Sequence, residues 1–258
     1  MKLAVFSPYG NFSREAGLLY LVTNYLLKSG ADVTQLRCDG AFSACARDQK
    51  HSWNRTLFSC ARCISEQRAL AQWAAVKSKD VSSFILADDV LQSTKWIASV
   101  HRSELVRSEF RGLSLWEICK DDFTARFQTA DIQSLSSSEE AHVRELFVSA
   151  VHALAAVDRF VATVLPTIHL VVSSKDVLSN AYLAYVRSSR ADAALFFYDS
   201  AEESIAIESA SSGARYNTKL MLDDITAMRS DPKTWSPEVT SIVHEMLTFL
   251  GFAPDKVL

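Results

Sequence analysis

Glycine is scarce in this chain, 7 residues in 258, and proline is scarcer, with 5. Phosphate cradles depend on glycine, because only a residue without a Cβ lets the backbone close on a pyrophosphate. Neither a G-x-G-x-x-G pattern nor a P-loop occurs, which excludes a dinucleotide fingerprint and an NTP cradle. A G-x-S-x-G elbow is absent too, so Ser-His-Asp catalysis of the α/β-hydrolase kind has no support. Excess positive charge is also missing: 27 basic against 30 acidic residues leave a net charge of -3, and no basic stretch is interleaved with aromatics. Nucleic acid is therefore excluded as the expected partner. No apolar run of about 18 residues stands out as a transmembrane segment. The opening MKLAVFSPYG has only five apolar residues before Ser7 and Pro8, short of a signal peptide's apolar core. The expected location is cytoplasmic. Five cysteines, an odd number, then favour thiols or metal ligands over disulfides. In that compartment the sequons at Asn11 and Asn54 carry no glycan.

What is present is an ordinary globular composition, 48% hydrophobic and 22% charged, sufficient for one large core. Leu3 to Ser7 reads as a buried parallel strand, followed by the turn Pro8-Tyr9-Gly10-Asn11 and a helix capped by Ser13. Leu18, Leu21, Val22, Tyr25 and Leu26 keep helical spacing until Gly30, and a second strand covers Asp32 to Cys38. Residues 39 to 65 have no sustained period. The patterns beyond predict a helix over Glu66 to Lys77, a strand at Ser83 to Ala87, and helices at Val90 to Val100 and Leu113 to Phe127. Ser136 with Glu139 forms a capping-box pattern, opening a helix of about 28 residues that ends before Pro166. Strands at Ile168 to Ser173, Ala193 to Tyr198 and Tyr216 to Leu222 alternate with helices at Lys175 to Ser189 and Ala201 to Ser211. A final helix opens at Ser236-Pro237 and closes at Gly251. This alternation predicts one α/β domain over residues 1–258, a Rossmann-like parallel sheet with helices on both faces.

Cys38, Cys45, Cys60 and Cys63 crowd into the 38–65 segment with spacing C-x6-C, then C-x2-C. A long stretch without period needs a staple, and four thiolates form a tetrahedral site for zinc. An iron-sulfur cluster is the lesser expectation, because no ferredoxin-type spacing occurs. Two other readings stay open: Cys38 and Cys45 as core residues beside ordinary thiols, and Cys60-Ala61-Arg62-Cys63 as a thioredoxin-like pair. His51 lies inside the segment as an alternative ligand, while His142, His152 and His244 sit on helices without a metal or catalytic partner. Asp88-Asp89 and Asp223-Asp224 follow apolar strands, where α/β sheets place functional carboxylates and also simple helix caps.

The first loop, Ser7-Pro8-Tyr9-Gly10-Asn11-Phe12-Ser13, with the helix after it and the close Leu27-Lys28-Ser29-Gly30-Ala31-Asp32-Val33, resembles the N-terminal half of GT-B glycosyltransferases. Ala191 to Tyr198 and the strand leading to Asp223-Asp224 are similar to the later βαβ of such domains in surface-polysaccharide enzymes. The resemblance implies an acceptor-side domain in glycan assembly, with Tyr9, Gly10, Asn11, Ser13 and Asp223 facing a sugar or sugar-phosphate ligand. A GT-B enzyme also needs a second domain gripping the donor nucleotide, and these residues leave no room for one. A partner chain supplying a donor domain is therefore expected. The alternative is a non-catalytic, metal-stapled binding or scaffold protein derived from the same fold.

Overall fold

The computed structural model describes residues 1–8, 10, 14–45, 57–172, 176–199, 204–210, 212–218 and 237–252. Tyr9, Asn11, Ser13, His51 and Asp223 lie outside the described residues. The chain runs β1 (Lys2–Phe6), α1 (Arg14–Lys28), β2 (Asp32–Arg37), α2 (Leu57–Trp73), β3 (Lys77–Asp80), α3 (Ala87–Ser99) and the one-turn α4 (Arg102–Leu105). A small hairpin, β4 (Glu109–Phe110) and β5 (Leu113–Ser114), leads into α5 (Leu115–Phe127) and α6 (Ser137–Val164). Then come β6 (Ile168–Val172), α7 (Val177–Ser188), β7 (Asp192–Asp199), β8 (Ser204–Ser209), β9 (Arg215–Thr218) and α8 (Pro237–Phe249).

Among the described residues the main sheet has seven strands in the order β3-β2-β1-β6-β7-β8-β9. The first five are parallel, and β8 and β9 extend the sheet antiparallel. The central parallel strands β1, β6 and β7 are largely apolar at successive positions because both faces are covered. Ala4, Phe6, Leu36, Val171 and Leu195 join the core shared with α5, α6 and α7. Leu3, Val5, Val33, Leu170 and Phe196 join the core shared with α1, α2 and α8. Phe6 stacks on Tyr182 of α7 at 4.4 Å between ring centroids, which ties the centre of the sheet to the helical layer.

The helix ends follow their local chemistry. Gly30 takes φ 85° after α1 and Gly251 takes φ 79° after α8, the left-handed conformation of a C-terminal cap. Ser136 and Glu139 form the expected reciprocal cap on α6. By length and apolar composition α6 matches a membrane span, but most of its apolar stretch is packed inside the protein, as in a core helix.

Three expectations are corrected. The stretch from Ala201 to Ser211 contains a strand at Ser204–Ser209, not a helix, pairing antiparallel with β7 so that Phe196 faces Ile207. Ile205 and Ile207 both enter the core, a period of two that so short a run does not separate from a helical one. The strand expected at Ser83 to Ala87 is a 3-10 turn over Val81–Phe84 that leads into α3, and the strand lies earlier, at Lys77–Asp80. Its sequence, KSKD, hides it because this is an edge strand with half-exposed and exposed side chains. Helix α2 begins at Leu57 rather than Glu66, so Cys60 and Cys63 stand on a helix and not in an irregular segment.

Candidate functional site

The strand order changes direction between β1 and β6. The chain leaves β1 for β2 on one side and returns through β6 on the other, and this switch point is where open α/β sheets form a ligand crevice beyond the carboxyl ends of the strands. Ser7 and Pro8 lead from β1 toward α1, and Asp176 leads from β6 into α7.

The two helix starts at this crevice differ. At α7, Asp176 is buried and its Oδ1 accepts the N–H groups of Leu178 (2.9 Å) and Ser179 (3.1 Å). The Val177 N–H donates to Oδ2 of fully buried Asp122 on α5 at 3.4 Å. Asn180 donates to the Asp176 carbonyl at 2.9 Å. The first-turn donors of α7 are thus satisfied by the protein, and two carboxylates stand where a ligand anion would approach. Asp122 also accepts from Arg126 Nε at 2.6 Å, while Arg126 Nη2 is buried without a hydrogen-bond partner among the described residues. Any anionic group at the crevice is therefore left to the α1 side.

On that side the loop after β1 is clamped to α2. The Gly10 N–H donates to Cys63 Sγ at 3.1 Å. A Cβ at position 10 would stand 1.9 Å from the Cys63 carbonyl oxygen, so no side chain fits there. One turn on, fully buried Gln67 donates through Nε2 to the carbonyls of Pro8 (3.2 Å) and Cys38 (3.2 Å), joining the loops after β1 and β2. Gln67 Oε1 is buried without a partner among the described residues. Gly10 is the one sequence-expected ligand residue within the described structure, and its role there is close packing.

Three of the four clustered cysteines, Cys38, Cys45 and Cys63, lie close enough to interact electrostatically. Burial pushes the Cys38 thiol up to about 12, and neighbouring Cys45, Cys63 and Asp39 act in the same direction against a hydrogen bond from Gly40. Cys38 is consequently a neutral thiol at pH 7. Cys60 and Cys63 are three residues apart on α2, which brings them onto one helical face. Among the described residues no group of three or more His, Cys, Asp or Glu side chains is arranged to hold a metal ion. Cys119 is buried apart from them, with Sγ 3.9 Å from the Leu146 carbonyl.

Asp88 and Asp89 open α3 instead of ending a strand. Asp89 accepts the Leu86 N–H at 2.7 Å and a bidentate pair from Arg159 of α6 at 2.5 and 2.8 Å, and the Arg159 side chain holds its carboxyl below the usual range. Sequence reasoning missed a second contact between these helices: Ser93 Oγ and His152 Nε2 lie 2.8 Å apart, both residues buried. Burial lowers the pKa of His152, which favours neutral imidazole. Only the amphipathic pattern of α6 hinted that His152 faces inward; nothing in the sequence pairs it with a residue 59 positions away.

No protein-family model matches the chain, and no curated protein matches it significantly.

Proposed function

We propose that this chain is the acceptor-side domain of a GT-B-like glycosyltransferase of glycan or surface-polysaccharide assembly, binding a sugar or sugar-phosphate at the β1–β6 crevice. The observation that carries the reading is the asymmetry of that crevice. The α7 side is closed by Asp122 and Asp176, whereas the α1 side is held against α2 by Gly10 and Gln67. Tyr9, Asn11 and Ser13 flank Gly10 in the sequence and are the residues we propose for ligand contact. No glycine-rich turn in these residues cradles a nucleotide diphosphate, so on this reading the donor nucleotide is bound by a separate domain.

Calorimetry tests this. The chain alone should give no measurable heat with UDP-, GDP- or CMP-sugars and weak, saturable binding with hexose 1-phosphates that is reduced by Ser13→Ala. Micromolar binding of a nucleotide-sugar by the chain alone, worth about 8 kcal/mol, would overturn the reading.

The second element of the proposal is a structural zinc at Cys38, Cys45, Cys60 and Cys63. Its support is proximity: Cys45 and Cys63 are near enough to Cys38 to raise its pKa, and Cys60 shares a helical face with Cys63. A zinc ion would have to draw the thiols together and displace their protons. If the metal is present and no sugar-phosphate binds, the metal-stapled scaffold reading replaces the glycosyltransferase one.

A further inference from the structure

A second cavity of about 410 Å³ lies in the helical layer, between α3, the β4–β5 hairpin and α6, and no strand of the main sheet lines it. Its size falls within the range of small-molecule sites. Ser93, Leu115 and Val151 are buried in its lining, and half-buried Trp96 and Phe110 add aromatic surface. The exposed side chains of Asp88, Gln92 and Glu109 complete the polar part of the lining.

The hairpin that forms one side of this cavity is held in a set conformation. Arg111 takes φ 54° and Gly112 takes φ 76°, two successive positive values of the kind a tight two-residue turn requires. The positive φ is unfavourable for arginine. It is compensated by an ion pair between Arg111 and Asp158 of α6 and by stacking of the guanidinium 5.2 Å from the Phe110 ring centroid.

The charges narrow the class of ligand. Arg159 is already taken by Asp89 and Arg111 by Asp158, so no unpaired cation is offered to an anion. Asp88 and Glu109 are exposed to solvent, which screens their attraction for a simple cation. Asp88 and Glu109 have no cationic partner among the described residues; Asp88 accepts only from Gln92, at 2.6 Å. What these groups lack is hydrogen-bond donors, and the walls lack an apolar surface to cover them. A neutral molecule with one apolar face and many hydroxyls meets both demands. We infer that this cavity binds a neutral pyranose unit of a carbohydrate, its C–H face against Trp96 and its hydroxyls donating to Asp88 and Glu109. The aromatic quadrupole favours the weakly positive C–H face, and charged acceptors make the stronger hydrogen bonds. The inference does not rest on the crevice reading, since the two sites share no residue.

The test uses the indole N–H signals of the five tryptophans in ¹⁵N-labelled protein. The Trp96 signal is identified by its loss in Trp96→Phe, and the other four report that the variant is folded. The methyl pyranosides of glucose, mannose, galactose and N-acetylglucosamine are titrated, with choline and inorganic phosphate as ionic probes. The expected result is a saturable shift of the Trp96 signal with at least one pyranoside and neither ion. Glu109→Ala and Asp88→Ala, at exposed positions, should each weaken that binding about tenfold. Absence of a shift with all four sugars, an equal shift with choline or phosphate, or unchanged affinity in both variants would overturn the inference.

Discussion

The backbone N–H of Gly10 reaches the thiol of Cys63 at 3.1 Å, and the space beside its Cα is filled by the Cys63 carbonyl, 1.9 Å from where a Cβ would stand. This contact joins the loop after β1 to α2, and the shortage of glycine elsewhere makes its use here informative. Gly10→Ala is expected to destabilise the protein by about 1–3 kcal/mol, the usual cost of overpacking against backbone that does not yield. Denaturant unfolding measures it; a loss under about 0.5 kcal/mol, the size of an ordinary surface effect, would mean that the loop is not clamped as described.

The cysteine cluster makes a compositional prediction. Purified protein should carry close to one zinc per chain, and removal by chelator should lower the melting temperature. Because burial holds Cys38 as a neutral thiol, metal uptake must release protons, so affinity should fall as pH is lowered. Elemental analysis together with thiol titration decides the matter. Metal-free native protein in which all five cysteines react freely would end the zinc proposal, and iron with visible absorption would replace zinc by a cluster.

His169 gives the stability its acid limb. The side chain is buried on β6 with Nδ1 2.8 Å from the Tyr182 hydroxyl, and burial lowers its pKa from 6.5 to about 4. The folded state therefore resists protonation that the unfolded state accepts. Stability is full above pH 6.5, falls as pH drops from 6.5 toward 4, and loses nothing further from this group below that. The expected loss is of order a few kcal/mol. His152, also lowered by burial, adds in the same direction. NMR titration should find the His169 imidazole still neutral at about pH 5, well below the ordinary histidine range; a normal midpoint near 6.5 would refute the assignment.

Asp176 closes the start of α7. Asp176→Ala should cost about 1–2 kcal/mol, since it leaves the Leu178 and Ser179 N–H groups without their acceptor, whereas Asp176→Asn should retain most of the cap. Thermal melts of the two variants side by side give the comparison. Equal losses would show that the charge, and not the cap, is what α7 needs.

The legible parts of the protein were those decided within a few residues. Helix α6 carries its own start in Ser136 and Glu139 and its own period in Val143, Leu146, Phe147, Ala150 and Leu154. Gly30 and Gly251 marked helix ends because a positive φ disfavours other residues. The apolar runs of β1, β6 and β7 announced a sheet covered on both faces, and with it the α/β class.

The sequence by itself therefore determined the fold class, the core strands and the longest helix, because periodicity and capping are local and each leaves a pattern in the chain. The tertiary structure alone decided the rest. Ile205 and Ile207 became a strand because β7 offered its edge to pair with. Cys63 became a loop clamp because α2 begins nine residues earlier than its pattern suggested and lies against Gly10. Asp122, 55 positions before Val177, closes α7, and Ser93 meets His152 across 59 positions. Such contacts are hydrogen bonds between elements distant in sequence. No single stretch encodes them; they exist only once two apolar faces have been buried and the polar groups carried inside have found partners there.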